Sequence, residues 1–142
     1  MANLLKLEVV TPERRVVDDQ ATAITIPGAT GYLGILPGHS PLITEVAIGQ
    51  IAYLDAAGVQ QRLAVAWGFA EVLPDKVTVL AETAEKASEI DVNLATQAKE
   101  RAEAAIKAAK SDEDVSLQLK ELARAVNQLE VAKDWRPPDV LP

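Results

Sequence analysis

The sequence of 142 residues lacks cysteine and contains a single histidine, His39. The absence of cysteine excludes disulfides, thiolate nucleophiles and cysteine-ligated metals, and a single imidazole excludes a zinc site built from several histidines. Aromatic residues make up only 4% of the chain and hydrophobic residues 49%, so we expect a core of Val, Leu, Ile and Ala. A chain of this length forms one or two domains.

Positive charge and long apolar runs are also scarce. Lys and Arg number 14 against 21 Asp and Glu, which gives a net charge of −7, so nucleic acid is not an expected partner. No segment approaches the ~20 consecutive apolar residues of a membrane span. The first residues also lack the pattern of a signal peptide. We therefore expect the chain to stay in the compartment where it is made.

Glycine and proline are absent from the whole stretch between Asp75 and Arg136. All seven glycines and five of the eight prolines precede this stretch. Because both residues are costly inside a helix, their distribution predicts a β-rich first domain, residues 1–84, and a helical second domain, residues 85–142.

The first domain contains short segments of alternating polarity separated by turn residues, which is typical of half-buried strands. With no helix between them, the strands must cover one another, which favours a β-sandwich or a flattened barrel. We predict nine strands, at residues 4–10, 16–17, 21–26, 32–36, 42–48, 50–55, 59–67, 69–73 and 76–81.

The second domain carries apolar residues at helical spacing in two segments, from Leu94 to Ala109 and from Leu119 to Leu129. Asp91 is the expected N-cap of the first helix, residues 111–114 interrupt the pattern, and Pro137 stops the second helix. The short link predicts an antiparallel hairpin. Since its apolar faces are rich in alanine and bury little area, we expect the hairpin to lean on the sandwich or on a partner protein.

Candidate catalytic groups are few. A hydrolase built on His39 and Ser40 would need a third group that the sequence does not place, so we interpret His39 as a loop residue with local hydrogen bonds. The glycine-rich segment 28–34 is not followed by Lys-Ser or Lys-Thr, and we interpret it as a turn between strands. Acidic pairs are interpreted as solvated loop charges. The residues therefore predict a protein without an active site of its own.

The segment Pro27–Thr44, with the sequence PGATGYLGILPGHSPLIT, resembles the signature of the epsilon subunit of bacterial and chloroplast rotary ATP synthases. Residues 7–12, 68–72 and 77–84 support the resemblance. It implies a ten-stranded β-sandwich followed by a C-terminal two-helix hairpin. It also implies a non-catalytic central-stalk subunit that links gamma to the c ring and couples proton flow to ATP synthesis by the alpha and beta catalytic subunits.

The resemblance also implies contact residues for each partner. The c ring would be met by Gly28, Ala29, Thr30, Gly31, Tyr32 and Leu33, and the gamma subunit by His39, Ser40, Pro41, Leu42 and Thr44. From spacing alone, Lys120, Arg124 and Lys133 are better explained as a solvated helix face. The resemblance implies that an extended hairpin would inhibit ATP hydrolysis and bring these cations to a beta subunit. The complex would hold the chain peripherally at the cytoplasmic face of the bacterial inner membrane, or at the stromal face of the thylakoid for a plastid-encoded chain.

Some bacterial members of this family bind ATP through an Ile/Leu-Asp-x-x-Arg-Ala motif. The matching residues here are Ile90, Asp91 and Ala95, but Leu94 stands where the motif has arginine, and the compensating charges would be those of Arg101 and Arg124. A helix cap at Asp91 with Ile90 as hydrophobic staple explains both residues without a ligand, so no cofactor is expected.

Two other functions remain open from the residues alone. One is a general β-sandwich adaptor that docks a helical partner through its hairpin. The other is the small hydrolase that would use His39 and Ser40.

Overall fold

The computed structural model describes residues 3–134. Within this range the chain forms seven strands, one short 3₁₀ helix and two α-helices. They are β1 (Leu5–Val10), β2 (Arg15–Gly28), β3 (Gly31–Ile35), β4 (Leu42–Val46), β5 (Gly49–Asp55), β6 (Gln60–Val72), β7 (Lys76–Lys86), the 3₁₀ helix Ala87–Glu89, α1 (Val92–Ala108) and α2 (Asp112–Asp134). A β-sandwich followed by a two-helix hairpin is therefore confirmed. The predicted stop at Pro137 lies outside the described residues.

Two of the predicted breaks between strands are wrong. Residues 16–17 and 21–26 belong to one strand, β2, and residues 59–67 and 69–73 belong to β6. The polar residues that suggested the first break, among them Asp19 and Gln20, pair with Leu7 and Lys6 of β1. Ladder hydrogen bonds involve the main chain, so polar side chains along a strand do not interrupt them.

The ten strands implied by the resemblance differ from the seven observed because three strands run through both sheets. The first half of β2 pairs with β1, and its second half pairs with β3 and β5. β6 pairs first with β5 and then with β4, while β7 pairs with β1 at one end and with β6 along its length. Counting the two halves of these three strands separately gives five segments in each layer.

Alternate side chains of the two layers point inward and form one apolar core. Aliphatic residues dominate it, as the composition predicts, and every member lies within residues 5–84. The most completely buried large side chains are Leu5, Leu7, Val9, Ile24, Ile26, Ile35, Ile51, Leu63, Val65, Val72, Val77 and Val79.

The helical hairpin is folded against the sandwich. A small apolar cluster of Ala64, Ala87 and Val131, with Ile90 at its edge, joins α2 to the strands. The predicted N-cap is confirmed, because the Asp91 carboxylate accepts a 3.1 Å hydrogen bond from the main-chain N–H of Leu94. The link between the helices is shorter than expected, since α2 begins at Asp112 and takes the acidic residues into its first turn, where they suit the helix dipole.

Some predicted core positions of the hairpin are exposed instead. Ala95, Ala102 and Ala125 are buried, whereas Leu94 and Leu119 are 62% and 51% exposed. Two helices that rest on a sandwich along part of one face have too little contact area to cover every apolar side chain. The folded hairpin therefore leaves apolar surface in solvent.

A pH-dependent contribution to stability is expected from Glu8, which points away from the core on β1. Its Oε1 lies 3.3 Å from the Nζ atoms of both Lys6 and Lys76, and hydrogen bonds from Lys6 and then Lys76 lower the pKa of the carboxyl group below 4.5. A group with a lowered folded-state pKa stabilises the fold above its unfolded-state pKa and loses this effect as the pH falls through the lowered value.

We therefore expect Glu8→Gln to lower the melting temperature slightly at neutral pH. The difference from the parent should shrink as the pH falls below 4.5. Thermal unfolding followed by circular dichroism across this range checks the expectation. A difference that widens on acidification would contradict it.

Candidate functional site

The loop between β2 and β3 forms a protruding tip. Gly28 and Gly31 are paired across it, and Gly31 has a φ of 138°, which favours glycine. A Cβ at Gly28 would lie 2.9 Å from the carbonyl oxygen of Gly31. Residues 29–32 are exposed and Leu33 is half-buried. Tyr32 is 62% exposed, yet its hydroxyl accepts a 3.2 Å hydrogen bond from the main-chain N–H of Gln50.

Segment 39–44 lies in the turn before β4 and in the first part of that strand. The Nδ1 atom of His39 lies 2.8 Å from the carbonyl oxygen of Ser40, in line with a loop histidine whose hydrogen bonds are local. Pro41 and Leu42 are exposed, and Thr44 is half-buried. The two predicted contact segments are neighbours, since Gly28 pairs with Val46 at the end of β4.

An exposed apolar face next to this segment was missed by the sequence analysis. Ile43, Phe69 and Leu80 are 72%, 57% and 58% exposed, and Phe69 pairs with Leu80 across the β6–β7 ladder. We call these three side chains the apolar face. An open groove of about 670 Å³ runs beside Phe69 and Leu80 and is also lined by Glu45, Trp67 and Glu82. Apolar residues at successive positions, as in Leu42-Ile43 and Phe69-Ala70, were the available signal, because they place apolar side chains on both sides of a strand.

Two of the three predicted contact cations of α2 have partners in the fold. The Nζ of Lys120 lies 4.5 Å from the centroid of the Trp67 ring and 3.6 Å from Oε2 of Glu82. Arg124 forms an ion pair with Glu121 at 2.6 Å. Lys133 is exposed near the end of α2. In the folded hairpin, then, Lys120 already has partners on the sandwich.

The residues of the nucleotide motif lie in different environments. Ile90 packs at the edge of the small apolar cluster, Asp91 caps α1 and Ala95 is buried, whereas Arg101 is exposed. Arg124 lines a cavity of about 330 Å³ between α2 and the sandwich, together with Arg14 and Glu85. Asp91 thus has the predicted cap role, whereas Ile90 packs on Ala64, Ala87 and Val131 and not on the first turn of α1 as a staple would.

Two further observations concern metals and membranes. Across residues 3–134, no group of three or more His, Asp or Glu side chains is placed to hold a metal ion. Neither helix in the described part of the chain is sufficiently long and apolar to cross a membrane.

Family models match both parts of the chain. The model described as ATP synthase, Delta/Epsilon chain, beta-sandwich domain matches residues 4–87. A second, described as ATP synthase, Delta/Epsilon chain, long alpha-helix domain, matches residues 88–133.

Among similar solved structures, a chain of the Euglena gracilis mitochondrial ATP synthase, solved as OSCP/F1/c-ring, superposes with a TM-score of 0.77. The match has 23% identity and covers 92% of this chain and 81% of that chain. A chain of the Tetrahymena thermophila mitochondrial ATP synthase central stalk and c ring gives a TM-score of 0.62 at 11% identity, over 90% of this chain and 96% of that one. At such identities these likenesses show the fold.

Curated relatives agree with the family models. The ATP synthase epsilon chain of Koribacter versatilis is 60% identical over 102 residues, which are 72% of this chain and 71% of the relative. The ATP synthase epsilon chain of Geotalea uraniireducens is 52% identical over 102 residues, 72% of this chain and 73% of the relative. The chain belongs to the family of ATP synthase epsilon chains.

Proposed function

We propose that this chain is a non-catalytic central-stalk subunit of a proton-translocating ATP synthase. Residues 1–84 would link the gamma subunit to the c ring, and residues 85–142 would inhibit ATP hydrolysis when the hairpin extends toward the alpha and beta subunits. The complex would hold the chain peripherally at the cytoplasmic face of the membrane, or at the stromal face in a plastid. The observation that carries the proposal is the apolar face beside residues 39–44.

The apolar face suits the gamma subunit as its partner. Ile43, Phe69 and Leu80 lie on three adjacent strands and are each more than half exposed. Large exposed apolar side chains grouped on one face of a sheet are candidates for a protein interaction site. It adjoins Pro41 and Leu42 of the segment for which the family resemblance implies gamma contact, so a partner that follows β4 would contact both. Glu45 and Glu82 at the groove favour a partner with cations at its rim.

The tip of the β2–β3 loop suits the c ring. Residues 28–33 contain no charged side chain, so a partner can cover the loop without burying an unpaired charge. Gly28 and Gly31 pair across the loop and hold its two strands close together, and Tyr32 remains exposed at the surface. Because the loop and the apolar face belong to one sandwich, two partners bound to them would move as a unit.

The hairpin has the weak attachment that a mobile element needs. Apart from one small apolar cluster, its contacts with the sandwich include the exposed pair Lys120–Glu82 and the hydrogen bond Gln128–Glu85. Exposed ion pairs contribute only about 0.2–1 kcal/mol each, so Lys120 can exchange Glu82 for an acidic partner at little cost. The exposed Leu94 and Leu119 would gain contacts in a second placement.

The test combines binding with catalysis. The chain and the gamma subunit of the same genome are mixed and passed over a size-exclusion column. ATP hydrolysis by the assembled catalytic complex is then measured with the full chain and with a chain ending at Lys86, which keeps β7 and the whole main core. We expect co-elution in both cases and faster hydrolysis with the shorter chain.

Two outcomes would contradict the proposal. Separate elution of the full chain and gamma would favour the general adaptor that docks another helical partner. Equal hydrolysis with both chains would remove the inhibitory role of the hairpin and leave only the link to gamma.

A further inference from the structure

One peptide group lies between the β2–β3 loop and the helical hairpin. The peptide that joins Gly49 and Gln50 donates its N–H to the Tyr32 hydroxyl at 3.2 Å. Its carbonyl oxygen accepts a hydrogen bond from Nδ2 of Asn127 at 2.9 Å. Tyr32 belongs to the exposed loop and Asn127 to α2. A single planar unit therefore connects two parts of the molecule that lie far apart in the sequence.

The contact with Tyr32 is close. A Cβ built on Gly49 would lie 2.7 Å from the Tyr32 hydroxyl oxygen and 2.8 Å from the Cβ of Pro27. The hydroxyl thus occupies the space that any side chain at position 49 would need, and glycine is required for the approach. Since Gly49 is buried, this end of the tyrosine is held firmly while the residue remains 62% exposed.

Asn127 binds the sandwich through main-chain atoms. Besides the Gly49 carbonyl, its Nδ2 lies 3.4 Å from the carbonyl oxygen of Val65. Gly49 and Val65 face each other at one end of the β5–β6 ladder, just before β6 leaves β5 to pair with β4. The side-chain amide of Asn127 therefore supplies a donor where the β5–β6 ladder ends. The geometry of its hydrogen bond to Gly49 depends on the orientation of the Gly49–Gln50 peptide.

We propose that the Gly49–Gln50 peptide relays the position of Tyr32 to the hairpin. When the Tyr32 hydroxyl is in place, its hydrogen bond fixes the orientation of the Gly49–Gln50 peptide and polarises the peptide carbonyl. The carbonyl then binds Asn127 more strongly, which favours the folded hairpin. A surface that packs on the exposed ring and displaces the hydroxyl weakens this hold and favours release. The hairpin is then a two-state element that the loop biases. The inference rests on the proposed function only for the identity of that surface.

The test is a double-mutant cycle on the released fraction of the hairpin. The chain has no cysteine, so Ala57→Cys and Glu113→Cys, both at exposed positions, introduce two unique sites for spin labels. Distance distributions in the full chain give the ratio of released to folded hairpin. We expect Asn127→Ala to raise this ratio about three- to tenfold, as for the loss of its hydrogen bond to Gly49 and the longer one to Val65. Tyr32→Phe should raise it about two- to threefold.

The relay is tested by whether the effects of Tyr32→Phe and Asn127→Ala on the released fraction are additive. In the Asn127→Ala background, Tyr32→Phe should have no further effect, because the bond that it weakens is already absent. The matched control is Gln128→Ala, which removes the neighbouring hydrogen bond to Glu85 and should leave the effect of Tyr32→Phe intact. The relay is overturned if Tyr32→Phe changes nothing, or if it acts by the same factor with and without Asn127.

The cycle separates this inference from the proposed function. It is measured on the chain alone, so an additive cycle with normal co-elution of gamma rejects only the relay. A non-additive cycle with lost co-elution keeps the relay and rejects the link to gamma in the proposed function.

Discussion

Replacing Gly68 by alanine is expected to destabilise the sandwich by about 3 kcal/mol or more, at the upper end of the range for overpacked sites. A Cβ at this position would lie 1.9 Å from the carbonyl oxygen of Leu80 and 2.9 Å from the Cα of Ala81. Both are main-chain atoms of β7, so no side-chain rotation relieves the overlap and β6 must move away from β7. The free energy of unfolding of a domain is typically about 5–15 kcal/mol, so the expected loss is a large share of the stability of the sandwich.

The measurement is urea unfolding followed by circular dichroism. The matched control is Gly34→Ala in β3, where a Cβ would meet no atom within 4 Å, and we expect its unfolding free energy to stay within about 0.5 kcal/mol of the parent. Equal losses in the two variants would mean that strand glycines matter here for a reason other than the close approach of β6 and β7.

Much of the fold could be predicted from the sequence, because glycine and proline separate the strands from the helices. The continuity of β2 could not. Asp19 looks like a loop residue in the sequence, but it pairs with Leu7 and accepts a 3.0 Å hydrogen bond from the hydroxyl of Tyr53. This partner is supplied by a strand 34 residues away, and period-2 alternation within one segment carries no information about it.

The candidate surfaces show a different limit. The loops 28–33 and 39–44 were identified through a family resemblance, whereas the apolar face is visible only in the fold. Alternation indicates that a strand has two faces but not which of them another layer will cover. Ala70 and Val79 are buried in the core. Since side chains alternate along a strand, their neighbours Phe69 and Leu80 face outward.

The placement of the hairpin could not be predicted for a related reason. An alanine-rich face can rest on a sandwich or on a partner, and charge spacing along α2 does not distinguish solvent from a binding surface. Lys120 lies over the ring of Trp67. Trp67 has a φ of 54° and is skipped in the pairing of β6 with β7. Such an environment arises from tertiary structure alone.

Phe69→Glu is expected to weaken binding of the gamma subunit by about 100-fold or more, in the range of interface hot spots. The side chain belongs to the apolar face, pairs with Glu45 across the β4–β6 ladder and lines the groove that also contains Glu82. A third carboxylate would have to be desolvated beside the other two when a partner docks, and a buried charge without a partner is strongly unfavourable. Since Phe69 is already 57% exposed, we expect the free chain to fold normally.

Binding is measured by titrating gamma against the immobilised full chain, with circular dichroism to verify the fold. Leu117→Glu is the matched control, because Leu117 is also 57% exposed but lies on α2, and we expect it to bind gamma like the parent. Equal binding by both glutamate variants would exclude the apolar face as the docking surface, whatever the family resemblance implies. A loss confined to Phe69→Glu would extend the gamma contact from residues 39–44 across β6, so that two strands from different parts of the sequence form one interface.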